Sequence, residues 1–525
     1  MDRNTDNLQP QEILEKSRKG IFHIIFGRTM VIILALAFQF YLLFSFLFSL
    51  AQYVPVFFGG ILAFTAVMLL VILNSREDPT VKLSWSIVIA ILPIFGSLLY
   101  LFVRLDLGHR VDQKRYAFTL QDSAAYIHQN EAVLERLKGE ERNVYNLARY
   151  LWGHGNFPVY SGTDVSYFPL GEDKFRAMCA ELEKAEKYIF MEYFIIGKSF
   201  MWDTLLEILT RKASQGVDVR VMYDGTCAVA LLPYGYPEEL AKLGIRSKMF
   251  SPIRPFVSTH YNNRDHRKIL VVDGKVAFTG GVNLDDCYIN LEHPHGHWKD
   301  TAVMLRGPAA QSFTMMFLQM WNSTEKHRAY EPYLAISEEC SHENGFIIPF
   351  GDSPTDDEKV GEMVYLNILN QAKDYVYIMT PYLILDSQMV TALCFAAKRG
   401  VDVRLILPHI PDKKTVFALA KNHYPELLEA GVRIFEYTPG FVHAKVFLSD
   451  DSHAVVGTIN LDYRSLYLHY ECAAYMYRVA AIGDIRTDFE NTMDVSQEIS
   501  LEQAQKRGLI SRLVGAVLKV FAPLM

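Results

Sequence analysis

Apolar positions crowd the first hundred residues in long unbroken runs, then fall into short alternating ones. Residues 29–50 (TMVIILALAFQFYLLFSFLFSL) pass 22 positions without a formal charge, 54–73 pass 20 more, and 83–103 form a third stretch interrupted by Pro93 and Gly96. Each run can cross a hydrocarbon core of about 30 Å at about 1.5 Å per residue. The pattern predicts a segment 1–28, then a membrane region 29–103 with two to three transmembrane helices. The first run is too long for a cleaved signal peptide, and no small-residue cleavage site follows it. Lys16, Arg18, Lys19 and Arg28 precede the first run, while Arg104, Arg110, Lys114 and Arg115 follow the third. Three spans would place these clusters on opposite faces, so one segment is re-entrant or one cluster is outside. The reading adopted is a multi-pass protein of the cell membrane with the domains that follow in the cytoplasm.

Beyond this region the period changes. Charge-rich 104–150 reads as a helical connector. After it, strand patterns such as KYIFMEYFI (187–195) and VDVRVMY (217–223) alternate with helical ones such as FRAMCAELEKA (175–185) and MWDTLLEILTRKAS (201–214). That alternation predicts an α/β architecture, mixed sheets with helices on both faces. At the C-terminus, Leu509, Leu513, Val517, Phe521 and Leu524 recur at helical spacing among Lys506, Arg507, Arg512 and Lys519. Such a basic amphipathic helix either lies in the interface of an anionic bilayer or packs on the domain.

One pattern occurs twice. HRKILVVD (266–273) and HAKVFLSD (443–450) share the spacing His-x-Lys-x-x-x-x-Asp, and Gly280, Asn283 and Asp285 recur 177 residues later as Gly457, Asn460 and Asp462. With this composition a single match arises about 0.04 times by chance. The chain therefore carries a duplicated folding unit, and so long a period means two domains, 151–335 and 336–525, rather than a solenoid.

The duplicated stretch has a predictable geometry. Asp273-Gly274 between two β-branched runs signals a hairpin. A two-residue turn there sets His266 opposite Gly281, whose missing side chain would leave room for a ligand. The strand period of two sends His266 and Lys268 to one face. Asp273, of opposite parity, falls in the turn and braces the hairpin or reaches another partner. Each unit thus offers a His, a Lys and an Asn. Two such pockets face to face would suit phosphoryl transfer: one imidazole attacks phosphorus, the other protonates the leaving oxygen, and two Lys with two Asn neutralise the phosphate. No metal is required, since Lys brings the positive charge.

Composition narrows the picture. A net charge of −7 gives no support to a nucleic-acid binder. The six Cys show no CxxC pair, and His293, His295 and His297 in EHPHGHW lack a Cys or carboxylate set at ligand spacing, so they read as a polar loop.

The paired motifs resemble those of the phospholipase D superfamily. With ARYLWGHGNFPVYSG (148–162), MEYFIIG (191–197), GHWKDTAV (296–303), PGFVHAKVFLSD (439–450) and GTINLDYRSL (457–466), nearly the whole chain from about residue 54 is similar to bacterial cardiolipin synthases of that type. The resemblance implies two pseudo-symmetric phospholipase D-like domains behind N-terminal transmembrane helices, and phosphatidylglycerol and cardiolipin in an anionic membrane as partners. It implies that His266 attacks phosphorus while His443 serves as acid and then base. Lys268, Lys445, Asn283 and Asn460 would bind phosphate, and Asp273 and Asp450 complete the motifs. It also implies an acid orienting each His, Glu471 in HYE (469–471) and Asp300 in HWKD (297–300). No cofactor is implied. A hydrolytic phospholipase D, a phosphatidylserine synthase, a nuclease and a non-catalytic scaffold are the alternatives; acidic charge and the membrane region disfavour the nuclease.

Overall fold

The computed structural model describes residues 37–42, 45, 54–75, 77–104, 107–253, 263–334, 345–356, 358–506, 515 and 517–520, with side chains from residue 59 and from residue 113 in the helices opening at 54 and 107. Most of 29–50 and of 508–525 lies outside these residues.

Before residue 107 the described residues include helical 37–42 and the helices Val54–Leu73, Pro79–Ile91 and Pro93–Arg104. The predicted run 83–103 is not one rod. Pro93 disfavours helical geometry at the residue before it, and Leu92 takes φ −127° and ψ 71°. The two short helices then fold onto each other: a Cβ at Gly96 would stand 2.9 Å from the Val88 carbonyl oxygen. Asp78 caps this hairpin by accepting the Thr80 N–H at 2.8 Å. Among the described residues no helix is long and apolar enough to cross a membrane, so the spanning helices read from the sequence are not found there.

From residue 107 the chain builds two mixed sheets. The first uses β1 (Asp164–Phe168), β2 (Tyr188–Tyr193), β3 (Asp218–Asp224), β4 (Arg246–Phe250), β6 (Lys268–Val272), β7 (Val276–Gly280) and β9 (Ala302–Arg306), with β5 (Arg264–Asp265) and β8 (His297–Lys299) outside it. Its order is β1-β9-β7-β6-β2-β3-β4. The second uses β10 (Phe346–Asp352), β11 (Tyr375–Met379), β12 (Asp402–Pro408), β13 (Arg433–Tyr437), β15 (Val446–Ser449), β16 (His453–Gly457), β17 (His469–Tyr477) and β18 (Ser496–Ile499); β14 (Gly440–Val442) stands apart. Its order, β10-β17-β16-β15-β11-β12-β13-β18, repeats the first strand for strand and adds β18. This is the two-domain α/β architecture of mixed sheets and helices that the sequence predicts.

Strand parity joins the domains. Val446, Leu448, Ala454, Val456, Ala474 and Met476 enter a core that also contains Ile269, Val271, Ala277, Val303 and Leu305 of the first sheet. Their odd-parity neighbours Phe447, Val455, Ala473 and Tyr475 face a separate core with the helix Val360–Gln371. The helix Ala310–Asn322 is buried at every position but Gln311 because it runs through the shared core.

The motif hairpins differ from the sequence reading by one residue. Val272 pairs with Val276 and Ser449 with His453, so each loop holds three residues and His266 does not lie opposite Gly281. Asp273 and Gly274 both have positive φ (53° and 67°), as do Asp450 and Asp451 (50° each), the signs a primed turn needs. Asp273 accepts the backbone N–H groups of Glu186, Lys187 and Tyr188 at 2.8–2.9 Å. Asp450 does the same for Lys373, Asp374 and Tyr375. Both aspartates therefore brace their hairpins, about 16 Å along the strand from the motif lysine.

Asp273→Ala should lower stability by about 3 kcal/mol and Asp450→Ala by less, since each loses three charge-assisted bonds to backbone N–H groups but those of Lys373 and Asp374 are exposed. A thermal unfolding midpoint unchanged in either variant would contradict the bracing role.

Candidate active site

The site is assembled by two very short parallel ladders between the domains. β5 pairs with the start of β17 (Arg264 with His469, Asp265 with Tyr470), and β14 pairs with β8 (Phe441 with Trp298, Val442 with Lys299). One residue beyond each ladder stands a histidine on one strand and an acid on the other. The His266 N–H donates to the Tyr470 carbonyl at 3.0 Å, and the His443 N–H to the Lys299 carbonyl at 2.7 Å. His266 Nδ1 lies 2.9 and 3.0 Å from the two oxygens of Glu471. His443 Nδ1 lies 2.7 Å from Asp300 Oδ2. Each histidine is thus oriented by the other domain's carboxylate, and each keeps Nε2 for a reacting atom.

The surroundings are dry. Both histidines are 6% exposed, Lys268 is fully buried and Lys445 nearly so. Each lysine donates back to the carbonyl of its own motif histidine, Lys268 to His266 at 2.6 Å and Lys445 to His443. Burial pushes Lys268 down to about 8 against the pull of Glu471 and Asp300, and Lys445 down to about 7 against that of Asp300. Burial, then Lys445, takes His443 to about 4, with Asp300 opposing. Burial and Lys268 hold His266 well below the usual imidazole range; His443 and Lys445 act on it too, so the two motifs share one electrostatic site.

The acids differ. Burial raises Glu471 to about 8 although Lys268 and the Thr458 hydroxyl oppose it; that hydroxyl donates to Glu471 Oε2. Burial works to raise Asp300 too, but His443 and Lys445 outweigh it and hold it below the usual carboxylate range. Gly281, the counterpart of Thr458, does not make room for a ligand. A Cβ there would stand 2.0 Å from Asp300 Oδ1 and 2.9 Å from the His443 carbonyl oxygen, so the glycine admits the acid.

Asn283 is engaged by protein: Oδ1 accepts the Ile195 N–H at 3.0 Å, and Nδ2 donates at 3.0 Å to the Tyr288 hydroxyl, whose ring lies 5.5 Å from that of His443. Asn460 Oδ1 is buried without a partner among the described residues. Asp273 and Asp450 are not part of this cluster. Sequence reasoning also missed Lys174, whose ammonium donates to the Val282 carbonyl at 3.1 Å. Tyr365 serves the matching Ile459 carbonyl at 3.0 Å in the other domain. No shared spacing announces that exchange of a cation for a phenol. The loop histidines His293, His295 and His297 form no ligand set among the described residues; the trio whose ligand atoms lie within 4.8 Å of one another is His266, His469 and Glu471.

The chain is similar to known proteins in sequence and in fold. A family model described as "Cardiolipin synthase, PLD-like domain" covers 178–321 and 365–493, and one described as "Phospholipase D-nuclease N-terminal" covers 63–104. A cardiolipin synthase of Geobacillus kaustophilus is 35% identical over 87% of this chain and 91% of its own length. One of Alkalihalophilus pseudofirmus is 31% identical over the same shares. An uncharacterized protein of Streptococcus mutans is 53% identical over 87% of this chain and 99% of its own. The crystal structure of phosphatidylserine synthase of Haemophilus influenzae shares the fold, with a TM-score of 0.57 at 14% identity over 73% of this chain and 98% of that one.

The lowered lysines set a sign for binding. An anion favours their charged forms and raises both affinities for protons, so binding at pH 8 should take up about one proton per site. Calorimetry with a soluble dialkyl phosphate in buffers of different ionisation enthalpy measures this; zero uptake, or release, would contradict the assigned charge states.

Proposed function

We propose, for a chain that belongs to the cardiolipin synthase family of the phospholipase D type, that His266 and His443 act in turn on one phosphorus to transfer phosphatidyl between two phosphatidylglycerols. His266 Nε2 attacks the phosphorus of the first lipid; the P–N bond forms as the P–O bond to glycerol breaks. His443, protonated when the anionic lipid enters, gives its proton to the departing glycerol oxygen. The terminal hydroxyl of the second phosphatidylglycerol then loses its proton to His443 and attacks phosphorus. The P–N bond breaks, and cardiolipin leaves. Lys268, Lys445 and Asn460 compensate charge on the phosphoryl oxygens, and Asn283 holds Tyr288 against His443.

The observation that carries this reading is the crossed pairing of each Nδ1 with a carboxyl group of the other domain, which leaves both Nε2 atoms available to a phosphoryl group. The unequal acids support the order of events. Asp300, held below the usual carboxylate range, suits a histidine that must become a cation, whereas Glu471, raised by burial, does less to stabilise a cation at His266 and so favours its neutral form.

The unit before residue 107 would supply membrane attachment. Leu62, Val67, Leu70, Leu83, Ile91, Leu98 and Phe102 are large apolar residues left exposed on its helices, an arrangement that a bilayer covers at low cost. Pro79–Ile91 and Pro93–Arg104 fit a re-entrant hairpin.

Purified protein mixed with phosphatidylglycerol vesicles, without added nucleotide or metal, should form cardiolipin and glycerol. Phosphatidic acid instead would make it a hydrolase, and no turnover a scaffold. His266→Ala and His443→Ala should each lower transfer at least about 10⁴-fold, and His443→Ala should retain a lipid adduct on the His266 peptide. Substantial transfer by either variant would overturn the two-histidine mechanism.

A further inference from the structure

A third imidazole stands beside the reacting pair with no task in the steps above. His469 is 8% exposed, and neither ring nitrogen has a hydrogen-bond partner among the described residues. Its Nδ1 is 3.9 Å from Glu471 Oε1, beyond hydrogen-bonding range. A buried polar group left unpaired is a standing penalty, so such a group marks a place where something binds. Its position points the same way. His469 and Glu471 are two apart on β17 and share one face, and the His469 ring lies 5.5 Å from that of His266.

The charges around His469 select the occupant. After burial, Arg464, Lys268, Arg264 and Lys413 each work against its protonation, and Glu471 is the facing acid. The imidazole is therefore neutral and keeps one N–H to donate. Four cations repel a divalent ion from the His266, His469 and Glu471 trio and attract an anion. The matching slot of the first domain, two residues before Asp300, holds Trp298, whose ring lies 5.5 Å from that of His443 and whose indole N–H also lacks a partner among the described residues. The fold therefore accepts different rings in this slot, and both present an unused N–H beside a motif histidine.

We propose that His469 is a phosphate contact, donating one ring N–H to a non-bridging phosphoryl oxygen of the diester at His266. It holds phosphorus against the attacking nitrogen and moves no proton. The contact rests on the phosphatidyl-transfer reading and adds a residue to it.

The test compares full-length wild type, His469→Asn, which keeps an N–H donor, and His469→Phe, which keeps the ring alone, in phosphatidylglycerol micelles. His469→Phe should lower kcat/KM about a hundredfold and weaken inhibition by a soluble dialkyl phosphate about tenfold. His469→Asn should stay within about threefold of wild type in both readouts. Wild-type behaviour of His469→Phe, or equal losses in both variants, would overturn the contact. Absence of cardiolipin with wild type would sink the transfer reading itself; the inhibitor affinities would then still decide whether His469 meets phosphate.

Discussion

Everything at this site depends on the register of the two ladders that cross between the domains. Asp265 pairs with Tyr470 and Val442 with Lys299, so in a parallel ladder the next position on each side brings His266 to Glu471 and His443 to Asp300. A slip of one residue would turn each acid to the opposite face and leave both imidazoles unoriented. Ladders of two and three residue pairs could not hold that register by themselves. The shared core does so, because the even-parity residues of β15, β16 and β17 and the helix Ala310–Asn322 lock the two sheets together.

The same closure gives the site its electrostatics. Lys268, Lys445 and Lys174 are buried among few carboxylates, and burial lowers each, Lys174 to about 7. The empty site thus sheds protons that an arriving phosphate restores. Affinity for the anion and readiness of His443 to act as an acid are one linked event. The domains share a fold but not a charge distribution: Thr458 faces Gly281, Tyr365 faces Lys174, and His469 faces Trp298 across the pseudo-symmetry. These exchanges let one duplicated scaffold run two different proton tasks.

Much of this was legible in the sequence. The 177-residue repeat announced two α/β units, and strand parity put His266 and Lys268 on one face and Asp273 in its turn. What failed did so for physical reasons. Loop length set the hairpin register, and Lys275 lengthened the loop beyond the Asp-Gly pair. Gly281 marked a close approach, but its neighbours are the Asp300 carboxylate and the His443 carbonyl rather than a ligand. The crossed pairing of acids was hidden because the ladders are too short for any periodic signal, and His469 because a lone histidine has no pattern. Pro93 did show where the run 83–103 breaks, although hydropathy alone counted straight through it.

The most direct test is the imidazole ¹⁵N NMR spectrum of histidine-labelled protein. Glu471→Gln should move the ring signals of His266 and leave those of His443 in place, while Asp300→Asn should do the reverse. If each substitution instead moves the histidine of its own domain, the crossed geometry on which the account rests is wrong.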